Sequence, residues 1–138
     1  MLVTAALAAV LHVYIFVMES VLWTTPRVRA TFGITSDQQA RHTKQLAFNQ
    51  GFYNLFLAVI VAVGCVVVVA DAGDPVWVAV GVTLIVAGTG SMLAAALVLV
   101  LSDRRKARAA ATQGILPLIT WRSARSARQH AERASHPL

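Results

Sequence analysis

SDQQARHTKQLAFNQGFYNLFLAVIVAVGCVVVVA, residues 36–70, decides the fold. Ser36 with Gln39 three residues on reads as a capping box, so a helix starts at about Asp37. No proline or turn cluster interrupts the stretch before Ala70. One helix over Asp37 to Ala70 has 34 residues, and at about 1.5 Å per residue it runs roughly 51 Å. Its apolar part, Leu46 to Ala70, is long enough to cross a hydrocarbon layer of about 30 Å. The first two turns, with Arg41 and Lys44, stand outside that layer.

Working outward, two more runs have the same character. Leu2 to Trp23 is a membrane-length apolar segment, and so is Val76 to Leu101. The first is not a signal peptide by pattern: it has no basic start and no small-residue cleavage site. Asp71-Ala72-Gly73-Asp74-Pro75 is a tight turn between the second and third runs. The fourth segment, about Ala107 to Trp121, has fifteen residues, fewer than the usual span of about 17–25. The fold expected is all-α: a four-helix transmembrane bundle of three clear spans plus a short fourth segment, with the N-terminus outside. Residues 1–121 form the bundle and residues 122–138 a basic C-terminal tail carrying Arg122, Arg125, Arg128 and Arg133.

Composition agrees. Hydrophobic residues make up 57% and charged residues 13%, against about 25% charged in soluble domains. Mean hydropathy is +0.66. These values exclude a disordered chain and argue against a soluble globule. Cys65 is the one cysteine, so neither an internal disulfide nor a cysteine-based zinc site can form. The net charge of +6 comes from short basic clusters between apolar runs. That is a topology pattern, and no nucleic-acid recognition motif accompanies it.

The positive-inside rule orders the connectors. Thr24 to Lys44 carries Arg27, Arg29, Arg41 and Lys44; Ser102 to Arg108 carries Arg104, Arg105, Lys106 and Arg108. The Asp71–Pro75 turn has no Lys or Arg. Both basic connectors therefore face the cytoplasm in the expected topology. The fourth segment is expected to cross, with a re-entrant path as the alternative. In the first connector, Pro26 disfavours helix at Thr25, and Gly33 supports a turn. On the third span, Ala87, Ser91 and Ala95 recur at four-residue spacing, and Gly81 and Gly88 lie seven apart. Small residues so placed are expected to pack against another helix.

The residues that are expensive in lipid mark the candidate site. His12, Phe16, Glu19 and Trp23 form one seam at i, i+4, i+7 and i+11. Asn49, Gln50, Tyr53 and Asn54 share an arc of the second span near its cytoplasmic end. Gln113 lies just inside the fourth segment. Glu19, His12, Asn49, Gln50, Tyr53, Asn54 and Gln113 are thus the ligand-binding or proton-carrying candidates. Mutual hydrogen bonding alone is the plainer account of the same residues. No metal set, nucleophile triad, phosphate loop or CxxC motif is present, and no cofactor is implied.

HVYIFVMESVLWTTP, then TFG, then NQGFYNLFLA, then QG before a proline, is a pattern that resembles the small bacterial membrane proteins of domain-of-unknown-function family 1304. The resemblance spans about residues 1–120. It falls on His12, Glu19, Trp23, Thr25, Pro26, Phe32, Gly33, Asn49, Gln50, Gly51, Tyr53, Asn54, Gln113 and Gly114. Trp23, Pro26, Gly33 and Gly51 are its structural positions. It implies a four-helix integral protein of the bacterial cytoplasmic membrane and no particular activity. The short fourth helix and the basic tail depart from it.

Three functions compete at this level. The first is binding or transport of a small lipophilic or amphipathic ligand at a polar cytoplasmic-side pocket. Small multidrug exporters are similar in size and in a first-helix glutamate, without their other motifs. The second is an accessory or assembly subunit of a larger membrane complex. The third is a membrane enzyme acting on a lipophilic substrate, with Tyr53, Asn49 and Glu19 as acid–base and orienting groups. Partners expected are the lipid bilayer, the small ligand, and a second copy of the chain or a partner membrane subunit, but no nucleic acid. Whether the chain is an enzyme stays open in the sequence.

Overall fold

A computed structural model describes residues 1–135, with side chains described throughout except at 128 and 130–135. Arg128 and Arg133 of the basic tail therefore lie outside the described side chains. Helix α1 spans Leu2–Phe16 and continues into a π-helical turn, Val17–Val21. Helix α2 is Pro26–Phe32, α3 is Asp37–Ala70, α4 is Pro75–Ser102, and α5 is Ala107–Ser135. A single 3-10 turn, Arg104–Lys106, joins the last two. Three of these segments, Leu2–Val21, Asp37–Ala70 and Pro75–Ser102, are long and apolar enough to cross a membrane.

Helix α3 has the bounds its sequence dictates. Ser36 Oγ accepts from Gln39 N at 3.1 Å, closing the N-terminus. Gln39 Oε1 reaches back to Thr35 N at 3.2 Å, one residue earlier than a standard capping box. Asp74 caps α4 by accepting from Val76 N at 2.8 Å, with Pro75 in the first turn, where its missing N–H costs nothing.

The interior is built of small side chains. Ala5, Ala8, Ala9 and His12 are the buried face of α1, and Ala58, Val61, Ile85 and Met92 complete the core. Val3, Leu7 and Val10 on α1, Val63 and Val66 on α3, and Leu97 and Val98 on α4 are exposed. Small residues inward and large apolar residues outward is the pattern of helices associating in lipid, where close backbone approach replaces the hydrophobic drive. The closest approach is at Gly64 and Gly81. A Cβ on either would stand 2.8 Å from the other's carbonyl oxygen, so α3 and α4 cross there with no room for a side chain.

The stripe Ala87, Ser91, Ala95 does not pack inside the chain: all three residues are exposed. The inward face of α4 is Gly81, Ile85, Gly88, Thr89, Met92 and Ala96. Four-residue spacing fixes a face but not its direction, and the glycines decide it here, because they allow the tighter contact with α3.

The connector between the first two spans is more ordered than a polar linker. Thr25 is extended, Pro26 opens α2, and Gly33 ends it at φ 70° in the left-handed region. Ile34 N bonds Arg29 O at 2.9 Å, the outer bond of a Schellman cap.

The fourth segment is part of a longer helix, which is not among those apolar enough to cross by length and composition. Helix α5 runs through Pro117 and past Trp121 to Ser135. No glycine or further proline falls between Leu118 and Ser135, and alanine, arginine and glutamine there favour helix. It lies antiparallel to α4. A Cβ on Gly114 would meet Ala96 Cβ at 3.0 Å, and Trp121 reaches Gly90. Thr120 Oγ1 donates to Thr4 Oγ1 at 2.9 Å, near the start of α1. The basic connectors thus sit at one end of the bundle, and the Asp71–Pro75 turn at the other.

Candidate functional site

The site forms where α1 ends. In the π-turn, Leu22 N bonds Val17 O at 3.0 Å, five residues back. This wider turn shifts the residues after Phe16 off the α-helical register. The seam His12–Phe16–Glu19–Trp23 is therefore not continuous. His12 is buried in α1 with Nδ1 on Ala8 O at 2.9 Å. Phe16 packs edge-on against Phe52, ring centroids 5.1 Å apart. Trp23 lies beyond the helical turn and donates from Nε1 to Thr43 Oγ1 at 3.1 Å.

Gly51 sets the approach of α3 to this turn. It is buried, with Ser20 and the Phe16 carbonyl where its Cβ would be. Ser20 Oγ in turn donates to Phe48 O at 2.9 Å. One helical turn beyond Gly51, Asn54 Nδ2 donates to Glu19 Oε2 at 2.9 Å and to Gln50 O at 3.1 Å. Both carbonyl-type partners accept, so the amide nitrogen must face them. Asn54 has then used its two hydrogens. Among the described residues, Glu19 Oε1 makes no hydrogen bond, and both Glu19 and Asn54 are half-buried. With Glu19 ionised, what remains at the pair is acceptor capacity, one carboxylate oxygen and one amide oxygen; protonated, Glu19 adds one O–H donor.

The other candidates disperse. Asn49, Gln50 and Tyr53 are exposed, Tyr53 at 63%, on the side of α3 away from the core. A shared arc of roughly 140° at about 100° per residue reaches from the bundle interior to its outside. Gln113 is half-buried on α5, next to the close contact of Gly114 with α4. Pro117 has no N–H to give the Gln113 carbonyl, so that backbone acceptor has no α-helical partner. Ser20 and the π-turn were not singled out by the sequence. A serine beside Glu19 in an apolar run was the available signal for Ser20; nothing in the residue types announces the turn. Among the described residues, no three His, Cys, Asp or Glu side chains come together to hold a metal.

Three membrane-length apolar helices and an acid held by an asparagine inside the first of them define an all-helical membrane protein. Residues 6–124 match the model of a family described as Protein of unknown function (DUF1304), and the chain belongs to that family. Neither a curated protein nor a solved structure matches the chain.

Proposed function

We propose that this chain binds the polar end of a small lipophilic or amphipathic ligand at Glu19 and Asn54, within a cell membrane. The observation that carries the reading is a carboxylate inside a membrane-length helix, on a π-turn, with Asn54 as its hydrogen-bond partner and one oxygen free. Glu19 lies two residues from the end of that span at Val21; ionisable residues within spans tend to serve substrates or protons, and π-turns recur at functional sites. Unspent acceptors call for a ligand that donates, such as an amine or a hydroxyl.

In this reading the basic connectors face the cytoplasm, the N-terminus and the Asp71 turn face outward, and α5 crosses as a fourth span. Contact of Thr120 with Thr4 supports that crossing, since α5 reaches the far end of α1 without reversing. Transport would add proton exchange at Glu19 to the same binding step. A role as accessory subunit is the second reading, and the exposed Ala87, Ser91 and Ala95 face supports it.

Native mass spectrometry of the protein in mild detergent separates the two. The ligand reading predicts a retained small molecule on the wild type that Glu19→Gln loses. A ligand-free chain in stoichiometric complex with another polypeptide, unchanged by the substitution, would replace it with the subunit reading.

A further inference from the structure

The connector that follows the site carries a separate feature. Helix α2 is pinned to the bundle end at several points. Val28 is buried, the Phe32 ring lies 5.0 Å from the Trp23 ring, and Trp23 is tied to Thr43 of α3. Arg29 pairs with Asp37 at the start of α3. Asp37 is the one acid between Thr24 and Ala47, so that pairing leaves the segment's other charges uncompensated. Arg27, Arg41 and Lys44 are all exposed. Arg29 itself holds an unspent donor: its Nε is buried and has no partner among the described residues.

The depth of this cationic surface is set by its neighbours. It begins a few residues after the first membrane-length helix ends at Val21, and it merges into the apolar part of α3 at Leu46. Headgroups of the adjoining leaflet occupy that level. Trp23, with the Phe32 ring against it, places an amphipathic aromatic ring there, as interfacial anchors do. The Asp71–Pro75 turn at the far end of the bundle has no basic residue, and the cations at that end, Arg122 and Arg125, come from α5, where Arg125 lies over the Trp121 ring. The second basic connector lacks these aromatic anchors; like the first it has one paired cation, Arg105, which hydrogen-bonds Asp103 and holds that carboxyl below its ordinary value.

We propose that α2 and the first turns of α3 form a docking platform for anionic phospholipid headgroups, with Arg27, Arg41 and Lys44 meeting the phosphate. Each basic group near an anionic surface is worth about a five-fold gain in affinity. The platform does not depend on a ligand at Glu19.

The test uses the full chain in detergent with phosphatidylglycerol and phosphatidylcholine of the same acyl chains, counted as bound lipid by native mass spectrometry. Wild type should retain phosphatidylglycerol preferentially, and salt should weaken the preference. The triple variant Arg27→Gln, Arg41→Gln, Lys44→Gln should lose most of it, up to about a hundred-fold at five-fold per cation. The charge-preserving variant Arg27→Lys, Arg41→Lys, Lys44→Arg guards against misfolding and should keep the preference. Equal retention of both lipids by the wild type overturns the proposal. So does an equal or greater loss on neutralising Arg104, Arg105 and Lys106 instead, because the effect is then diffuse charge. Retention of an acidic polypeptide in place of lipid overturns it as well.

Discussion

Gly51→Ala is the sharpest perturbation of the site's framework. A Cβ at residue 51 stands 3.1 Å from the Phe16 carbonyl oxygen and 3.1 Å from Ser20 N, and it overlaps Ser20 Oγ. The two backbone atoms cannot move alone, so α1 and α3 must part by a few tenths of an ångström. Ser20 Oγ can rotate away, but it then leaves Phe48 O without the 2.9 Å bond it accepts. Overpacking of this kind costs about 1–3 kcal/mol. The lost hydrogen bond adds about 0.6 kcal/mol by membrane double-mutant averages. We expect Gly51→Ala to destabilise by about 1.6–3.6 kcal/mol in total. The assay is reversible unfolding in mixed micelles of rising dodecyl sulfate fraction, followed by helical circular dichroism. Ser20→Ala alone should cost about 0.6 kcal/mol, and the double variant should cost less than the sum, by about 1 kcal/mol, because the hydroxyl that overlaps the methyl is gone. Strict additivity, or a Gly51→Ala protein within about 0.5 kcal/mol of wild type, would refute the crossing geometry.

Further outcomes follow from single contacts and use the same unfolding assay. Asn54→Leu should cost about 1–3 kcal/mol, since Glu19 loses its donor, while Glu19→Leu with Asn54→Leu should recover most of that. A double variant as unstable as Asn54→Leu alone would contradict the pairing. Thr120→Val should cost about 0.6 kcal/mol more in wild type than in a Thr4→Val background, because the hydroxyl's bond to Leu116 O is lost in both and its bond to Thr4 only in the first. Gly33→Ala should cost about 1–2 kcal/mol, because its φ of 70° is strained for a residue with a Cβ. Gly33→Asn should cost less, since asparagine tolerates that region.

Much of the fold is legible in the residues. Ser36 and Asp71 mark α3, and nothing between them can break it, so its bounds follow from local chemistry. Pro26 and Gly33 bracket α2 in the same way, although a seven-residue helix is too short for a periodic signal and reads as a linker. The direction of a small-residue face is not legible. Ala87, Ser91 and Ala95 repeat as regularly as the buried positions of α4, and the difference is made by α3 docking on Gly81 and Gly88. At the site, the type of residue singled out Glu19 and Asn54, and their meeting depends on two features of different visibility. Gly51 is visible as the one glycine in its motif. The π-turn is a register change in hydrogen bonding, and Val17 to Val21 contains no residue that demands it. Asn49, Gln50 and Tyr53 are polar and near in sequence, yet α3 turns them outward; helical phase alone cannot say where α1 will dock.

The central claim, that Glu19 is a carboxyl reached from within the membrane and used to hold a ligand, has a direct measurement. The protein in its native membrane is treated with a lipophilic carbodiimide, and the labelled residues are read by peptide mass spectrometry. The account predicts labelling of Glu19 in the folded protein, suppressed when the small molecule retained by the wild type is added in excess. Labelling of Glu19 only after unfolding in dodecyl sulfate would contradict it, and so would labelling that the retained molecule leaves unchanged.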